Sequence, residues 1–519
     1  MNDRSSHRLV VFFILPLLLS LSWAAAWASP TTYAIADTTG DWGYPSPYRR
    51  YPRGPGYVRM SFIFDTLTWK NRAGKVIPAL AKHWEYLDHE NAYVFDLDRG
   101  AKWHDGLPFT AEDVVFTFQY AKKHPMPWID PKLLQGAIAI DPHRVKVILG
   151  RRYAPFLINV AGTMPILPRH IWQEVSTPRR FGAKKALVGT GPFKLLDYNR
   201  AQGSYLYEAN PLYYGGKPSV SRIKFTKIAR EMIGPALRQG LVDAGSIPPD
   251  LAKDMRRLGY HVIRAPYGWH LKLVMNHREP PLDQKEFRQA LAYAIDRKAL
   301  VEITQRGHAM VGHPGFVPPD SPWCNPHVKR YPFDPARARA LLQNLGYKLT
   351  GGRIIRDGVP LRLEILSQPR FKEVGLFLKE ELESLGFEVD IRTLESKTVD
   401  SRILHWQFRL ALSGHGGLYD PSFLKRAILD EGFNSVRYHR NEELKRLVMA
   451  QLEEMDPEQR RRIVFRIQEL YAEDLPNLPL YYPNWYWAHN GRLSLFYTRN
   501  GIAIGIPLPL NKLAFIDRK

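Results

Sequence analysis

The sequence predicts an α/β protein that is built from more than one lobe. Short runs rich in aromatic and β-branched residues, which are typical of strands, alternate with amphipathic helical stretches along the chain. The 519 residues exceed the ~250–300 residues at which a single hydrophobic core stops growing, so two or more lobes are expected. No period of about 20–50 residues repeats, which excludes solenoids and propellers.

The N-terminus has the layout of a secretory signal peptide. Basic Arg4 and Arg8 precede an apolar run from Leu9 to Leu21, and small residues flank Trp27 before a cleavage point after Ala28. A membrane anchor is the alternative, but the apolar run is shorter than the ~20 residues that span a bilayer and contains Pro16. We therefore expect export, with residues 1–28 removed.

The first half of the mature chain reads as strands followed by a capped helix. Arg59–Trp69 and Tyr93–Leu97 show the composition of strands. Thr110 and Asp113 have the spacing of a capping box, which predicts a helix that runs through Tyr120. Further strands are predicted at 145–149 and 193–197, the second after a turn at 189–192.

The second half reads as helices that lead into strands. Asp334 followed by Pro335 is typical of a helix start, and Gly386 of a helix end. The predicted helices span 286–304, 334–345, 371–385, 441–455 and 457–472, and the predicted strands span 387–391 and 478–489.

Composition limits the function classes. Cys324 is the only cysteine, which excludes an internal disulfide and a lipid-attachment cysteine after the signal. The formal charge of +22 would suit nucleic acid, yet the basic residues are scattered and their longest run is Arg460–Arg462 on a predicted helix. We interpret the charge as a property of the whole surface and expect no nucleic-acid partner.

An ordered set of segments resembles the family 5 extracellular solute-binding proteins, which are the dipeptide, oligopeptide and nickel receptors of ABC importers. The segments cover most of the mature chain and occur in the family's order. They are ALAKHW at 79–84, YVFDL at 93–97, KWHDGLPFTAEDV at 102–114, GTGPFK at 189–194, ANPLYY at 209–214, FRQALAYAIDRK at 287–298 and LPNLPLY at 475–481.

The resemblance implies a two-lobed periplasmic binding protein fold of type II, cluster C-like, with an extra small domain on the first lobe. By analogy, the first lobe comprises residues 29–61, 186–265 and 490–519. The small domain then comprises 62–185 and the second lobe 266–489. The chain would cross to the second lobe near 265–269 and return near Gly491.

The resemblance also implies a function and partners. A small-molecule solute would be enclosed in the cleft between the lobes by hinge closure and delivered to an inner-membrane ABC permease with its ATPase subunits. The protein would be a freely diffusing periplasmic monomer without a cofactor. A peptide or peptide-like solute is the first interpretation, and a nickel chelate or another non-peptide solute is the alternative.

In the family, the stretch from Arg402 to Pro421 lines the cleft. Tyr419-Asp420-Pro421 resembles the Tyr-Asp-Pro of the nickel receptors. Peptide receptors place a carboxylate three residues before that Asp to bind a free amino terminus, and Gly417 stands there in this chain. This departure argues against ordinary peptides, because a buried ammonium would lack its partner.

Other candidates in the same stretch are less specific. His415 stands near the position of a cleft aromatic, and Gly416 beside it would let the backbone approach a ligand; a turn with an incidental histidine is the alternative. Arg402 is similar to an arginine that the family places near the cleft, although a surface salt bridge would also explain it. Trp406 lies in the same stretch and is included as a candidate.

Aromatic residues at the two expected crossings complete the predicted site. Trp485 and Trp487 share one face of a strand, for which core packing is the alternative. Trp269 and His270 lie where the chain is expected to enter the second lobe.

Two other classes of protein fit the sequence less well than a receptor. A secreted hydrolase lacks support because no Gly-x-Ser-x-Gly elbow, His-Glu-x-x-His motif or Walker loop is present. A periplasmic chaperone would fit the charge and the aromatic content but explains no motif. His308, His313, Cys324 and His327 do not have the spacing of a tight metal site, so no metal bound directly by the protein is predicted.

Overall fold

The computed structural model describes residues 31–517. The predicted signal peptide, residues 1–28, lies outside the described residues. In the described part, no helix is long and apolar enough to cross a membrane.

The first lobe is built on a mixed seven-stranded sheet. Thr32–Asp37 lies at its centre, parallel to Arg222–Lys227. The strand Tyr486–His489, which is near the C-terminus in sequence, also belongs to this sheet. In spatial order the strands are His261–Arg264, Tyr486–His489, Ala244–Ile247, Thr32–Asp37, Arg222–Lys227, Ser204–Ala209 and Phe193–Asn199.

The second lobe is built on a six-stranded sheet. Trp269–Met275 lies antiparallel to Leu410–Gly416 along its whole length and pairs on its other side with Asn477–Pro483. In spatial order the strands are Ala309–Val311, Asn477–Pro483, Trp269–Met275, Leu410–Gly416, Arg362–Ser367 and Glu388–Thr393.

A four-stranded antiparallel sheet forms the small domain. Its spatial order is Ala81–Leu87, Ala92–Leu97, Arg144–Leu149 and Leu134–Asp141. The helix Ala111–Lys123 packs on this sheet through Val114 and Phe118, which are fully buried. The small domain therefore has a hydrophobic core of its own.

Helices cover the sheets, and the remaining strands form two short two-stranded sheets and one short three-stranded sheet. The short strands are Thr68–Lys70 with Val76–Pro78, Lys217–Pro218 with Ile516–Asp517, and Lys348–Thr350, Arg353–Arg356 and Val359–Pro360. The α-helices are Gly54–Ser61, Ala111–Lys123, Phe156–Asn159, Arg169–Trp172, Ile233–Arg238, Ala252–Arg257, Lys285–Ala294, Arg297–Gln305, Pro335–Asn344, Lys372–Leu385, Ser396–Leu404, Phe423–Ile428, Glu442–Glu453 and Pro457–Asp474.

Several local predictions are confirmed. Thr110 and Asp113 form the expected capping box at the start of Ala111–Lys123. Asp334 caps the helix that begins at Pro335 by accepting a hydrogen bond from the Arg337 backbone N–H. Gly386 ends its helix with a φ of 107°, a left-handed conformation that glycine adopts readily.

Two predicted elements are wrong. Arg59–Trp69 is not a strand: the helix Gly54–Ser61 runs into it, because Tyr57, Val58 and Met60 pack in the first-lobe core, where the same apolar residues suit a buried helix. The predicted helix 286–304 is two helices, since Ile295 is extended and Asp296 caps a second helix.

The predicted strand 478–489 is also wrong, because its two halves belong to different sheets. Asn477–Pro483 pairs in the second lobe, and Tyr486–His489 pairs with Ala244–Ile247 in the first. The chain thus enters the second lobe between Arg264 and Trp269 and returns between Pro483 and Tyr486, and not near Gly491 as expected.

Candidate functional site

The two lobes and the small domain meet in direct contact around the end of the strand Leu410–Gly416. A Cβ placed on Gly505 of the first lobe would lie 2.7 Å from Cδ2 of Tyr419 in the second lobe. Asn159 of the small domain donates to Ser422 Oγ of the second lobe at 2.9 Å. The cavities between the bodies are therefore lined by residues from more than one body.

A cavity of about 190 Å³, here called the central cavity, lies where all three bodies meet. Lys70 ends the strand Thr68–Lys70, whose Trp69 packs in the first-lobe core, and Asn500 comes from the first lobe. Asp420 and Arg460 come from the second lobe. The rest of its wall is formed by Gly74, Ala154, Ile158, Trp323, Glu454, Met455, Pro457, Ala503, Ile504 and Gly505.

Asp420 is paired within the second lobe. Its carboxylate accepts two hydrogen bonds from Arg460, at 2.9 and 3.2 Å, and the guanidinium also donates to Gln451 Oε1 at 3.0 Å. Burial alone would raise the pKa of Asp420, but the Arg460 charge and hydrogen bonds lower it overall. The carboxylate is ionised and its charge is already balanced.

Lys70 faces the same cavity without such a partner. Its ammonium donates to the backbone carbonyl of Asn500 at 3.3 Å, and within the described residues no carboxylate lies within ion-pair distance. Burial lowers the pKa of Lys70 from 10.5 to about 7, against the weaker attraction of Asp420. The lysine is therefore poised to gain or lose its proton near neutral pH.

A second interlobe cavity of about 270 Å³, the lateral cavity, adjoins the central cavity and shares Asp420 and Ile504 with it. Arg426 lines it with an exposed side chain that donates to the Gly416 carbonyl at 3.3 Å. Gly417 has a φ of 84°, and a Cβ there would lie 2.9 Å from Arg426 Nη2. Glycine at 417 therefore leaves room for this guanidinium.

An aromatic cavity of about 160 Å³ lies at the end of the first-lobe strand Thr32–Asp37. Trp485 is 37% exposed, and its ring centroid is 6.1 Å from that of Trp269 in the second lobe. Trp269 in turn contacts Phe371 at 6.3 Å, so aromatic surface continues across the lobe boundary. The aromatic side chains of the cavity are Trp42, Trp485, Trp487 and Tyr497.

The structure brings together one part of the sequence-predicted site. Asp420 and Gly417 line the interlobe cavities, and Trp485 and Trp487 line the aromatic cavity, which Trp269 adjoins. The preceding strand ends at Gly416, whose carbonyl holds Arg426. Tyr419 is buried beside them and donates to the Pro266 carbonyl at 3.3 Å.

His270 and His415 lie elsewhere, in the interior of the second lobe. They lie opposite each other on two neighbouring antiparallel strands. Their ring centroids are 4.6 Å apart, and both rings contact Phe316. Within the described chain their ring nitrogens have no hydrogen-bond partner. Burial and the nearby Lys272 hold the pKa of both imidazoles well below the usual value, so they are neutral.

Trp406 and Arg402 lie away from the cavities. Trp406 precedes the strand Leu410–Gly416, at the end opposite Gly416, and is flanked by the guanidiniums of Arg278 and Arg437 at 4.0 Å each. Arg402 is half-buried near the end of the helix Ser396–Leu404.

Sequence reasoning missed the cations that face the cavities. Lys70, Arg426 and Arg460 carry no motif, and the carbonyl that Lys70 contacts belongs to Asn500, 430 positions away. An unpaired cation is a property of the folded arrangement, so the sequence held no signal for it.

The fold and the interlobe cavities define a class: a two-lobed binding protein that holds a small molecule between its lobes. The family model for bacterial extracellular solute-binding proteins, family 5 (middle), matches residues 75–428. This chain belongs to that family. It is a solute receptor of the kind that serves ABC importers.

Relatives and solved structures agree with this assignment. The chain is 26% identical over 380 residues to the nickel-binding periplasmic protein of Escherichia coli (strain K12), which covers 70% of this chain and 71% of that protein. It is 29% identical over 349 residues to the dipeptide-binding protein of the same strain, covering 62% and 64%.

NikZ from Campylobacter jejuni, solved in complex with Ni(L-His), has a similar fold. It superposes with a TM-score of 0.76 at 22% identity, covering 94% of this chain and 99% of NikZ. DppA from Helicobacter pylori, solved with the peptide STSA, superposes with a TM-score of 0.72 at 21% identity, covering 92% and 97%.

Proposed function

We propose that the solute is a small anion, carrying at least one carboxylate or similar acidic group, held in the central and lateral cavities. The observation that carries this proposal is the state of the charges there. Lys70 and Arg426 face the two cavities without an ion-pair partner among the described residues, whereas Asp420 is already balanced by Arg460. Of the other carboxylates in these walls, Asp130 and Asp430 pair with Arg151 and Lys425. Glu454 accepts a hydrogen bond from the Asp456 backbone N–H. An anion would balance Lys70 and Arg426.

The same charges disfavour a solute that is held by a free ammonium. Position 417 is glycine and supplies no carboxylate, and Asp420 makes two hydrogen bonds to Arg460. An ammonium in the central cavity would also lie close to Lys70, and repulsion between buried like charges is poorly screened. A peptide-like solute would therefore be recognised through its carboxylate or would lack a free amino terminus.

A metal bound by a small acidic chelator is a second candidate. In the described residues, no group of three or more His, Cys, Asp and Glu side chains could hold a metal ion, so a chelator would have to supply most of the ligands. A chelator with carboxylates would meet Lys70 and Arg426 in the same way as another anion. The nickel-binding relative adds support for this candidate.

The export of the protein and the delivery of its solute are part of the same proposal. The protein would be exported by cleavage after Ala28, diffuse in the periplasm without a lipid anchor, and pass its solute to an inner-membrane permease with ATPase subunits. For the domains, the proposed residue limits are those implied by the family resemblance, with residues 486–489 moved to the first lobe because they pair with its strand Ala244–Ile247.

Native mass spectrometry of the receptor purified from its own host tests the proposal. We expect a retained molecule with an acidic group, and metal analysis of the same sample separates a free anion from a chelate. A retained cation without an acidic group would contradict the proposal.

Thermal unfolding with added solute gives a second measurement. A specific solute at 100 times its dissociation constant should stabilise the protein by about 2.7 kcal/mol. We expect its amide or ester, which lacks the negative charge, to stabilise the protein much less.

A further inference from the structure

A basic recess of about 310 Å³ lies outside the interlobe cavities, between the first lobe and the small domain. Its wall consists of Tyr48, Arg49, Arg50, Pro52, Pro125, Pro127 and Arg179, and none of these residues belongs to the second-lobe sheet or its helices. The recess is therefore not part of the space that opens and closes between the two lobes.

Three arginines and no carboxylate line the recess. Within residues 31–517, none of Arg49, Arg50 and Arg179 lies within ion-pair distance of an Asp or Glu. Surface arginines usually alternate with acids, and three uncompensated cations repel one another. Such a cluster is stabilised when an anion binds.

Arg50 is the least solvated member of the cluster. Its side chain is only 5% exposed and is held between the rings of Trp128 and Tyr57, at 4.6 and 5.1 Å from their centroids. Nη1 donates to the Tyr51 carbonyl at 3.3 Å, while the buried Nε–H has no partner in the described residues. Burial lowers the pKa of Arg50 to about 10, so it is still charged at neutral pH.

Arg49 is held in place beside it. Its guanidinium lies over the Tyr44 ring, 5.4 Å from the centroid. Its Nη1 lies where a Cβ on Gly182 would come within 1.7 Å, so the glycine makes room for the guanidinium. Two of the three cations are thus positioned before any ligand arrives, which lowers the entropic cost of binding.

We propose that the basic recess is a second binding site, for a tetrahedral oxyanion of the phosphate type. Three guanidiniums offer several N–H donors, and phosphate has enough acceptor oxygens and charge to engage all three. One carboxylate can engage only one of them in a bidentate manner. The phosphate is either free in solution or the headgroup of an anionic phospholipid.

The experiment uses the mature receptor and two sources of phosphate. Thermal unfolding is measured in sodium phosphate and in sodium chloride of equal ionic strength. Co-sedimentation is measured with phosphatidylglycerol vesicles and with phosphatidylcholine vesicles. A response to soluble phosphate identifies a free ligand, and a response to phosphatidylglycerol vesicles alone identifies the headgroup.

Three variants and a control test which residues are responsible. Arg49→Gln and Arg179→Gln should each weaken the response about tenfold, since a hydrogen-bonded charge is lost. Gly182→Ala should weaken it without any change of charge, because the methyl group displaces the Arg49 guanidinium. Arg339→Gln removes an exposed arginine from the second-lobe helix Pro335–Asn344 and should leave the response unchanged.

Two results would overturn the proposal. One is a wild-type protein that responds neither to phosphate beyond chloride nor to phosphatidylglycerol beyond phosphatidylcholine. The other is an equal response in all four variants. If Arg49→Gln, Arg179→Gln and Gly182→Ala respond as strongly as the control Arg339→Gln, the recess does not hold the phosphate.

Discussion

The interior of the second lobe and the wall of the central cavity both bury ionisable side chains, but they treat them differently. In the interior, His270 and His415 are packed against Phe316 and held neutral. At the cavity, Lys70 is buried just as deeply, yet it borders open space that an anion can enter. The difference shows that a buried ionisable side chain with a shifted pKa does not by itself indicate a binding site. Such a side chain also needs space beside it for a ligand.

The cavity wall itself contains a second contrast. Arg460 is balanced by Asp420 on the second-lobe side, whereas Lys70 on the first-lobe side has only a backbone carbonyl. Arg460 balances a buried carboxylate, so its removal would leave Asp420 unpaired. In the proposed function, Lys70 is the charge that meets the solute. Four substitutions, at Arg460, Lys70, His415 and Gly417, test this division.

Arg460→Met should have the largest effect, because it leaves Asp420 buried without a partner. We expect the free energy of unfolding to fall by about 3–5 kcal/mol, as measured by urea denaturation. Arg462→Met, on the exposed face of the same helix, is the control and should change stability by less than about 0.5 kcal/mol. A loss no larger than that of the control would mean that the pair contributes nothing.

Lys70→Met should change how stability depends on pH. The Lys70 pKa is about 7 in the fold against 10.5 ordinarily, so from pH 7 upwards the unfolded chain binds a proton that the native chain has released. Wild-type stability should therefore rise with pH by up to about 1.4 kcal/mol per unit from this group, over the window from 7 to 10.5.

In Lys70→Met this rise should disappear. The difference in free energy of unfolding between variant and wild type, measured by urea denaturation, should therefore shift in favour of the wild type between pH 7 and pH 9. Lys75→Met removes an exposed lysine close by and should keep the wild-type profile. Equal slopes in wild type and Lys70→Met would show that Lys70 keeps an ordinary pKa.

His415→Phe should act on the acid side. Its folded pKa is well below the usual value, so below the unfolded pKa of about 6.5 the unfolded chain binds a proton that the native chain does not, and stability falls as pH falls. The phenylalanine variant should lose less stability between pH 6.5 and 5, by about 1–2 kcal/mol, in thermal or urea unfolding. His89→Phe, at an exposed position, should behave as wild type.

Gly417→Asp should have the smallest effect on stability and a specific effect on binding. Aspartate at φ 84° is strained by about 1 kcal/mol, and its carboxylate would pair with Arg426. We expect the anionic solute to bind about tenfold more weakly, because one of its two cations is neutralised. Gly240→Asp carries a similar strain at φ 69° in open space and should leave affinity unchanged. An unchanged affinity in Gly417→Asp would exclude Arg426 from solute binding.

The sequence predicted elements whose signals lie within a few residues. Thr110 and Asp113 cap their helix, and Asp334 caps the next, because a side chain and the backbone it caps are neighbours in the chain. The ordered segments between 79 and 481 indicated the family. Gly417 was singled out as a departure from the peptide receptors, and it does lie at the lateral cavity.

Only the tertiary structure decided which side chains line the cavities. His415 and Trp485 look alike as candidates, yet one packs in the second-lobe interior and the other lines the aromatic cavity. The run 478–489 reads as one strand, but its halves join different sheets. Whether a charge is paired depends on residues outside its own element: Asp420 meets Arg460 from another helix, and Lys70 meets only the carbonyl of Asn500, 430 positions away. Local chemistry therefore set the elements and the family, and long-range packing set which charges are left for a ligand.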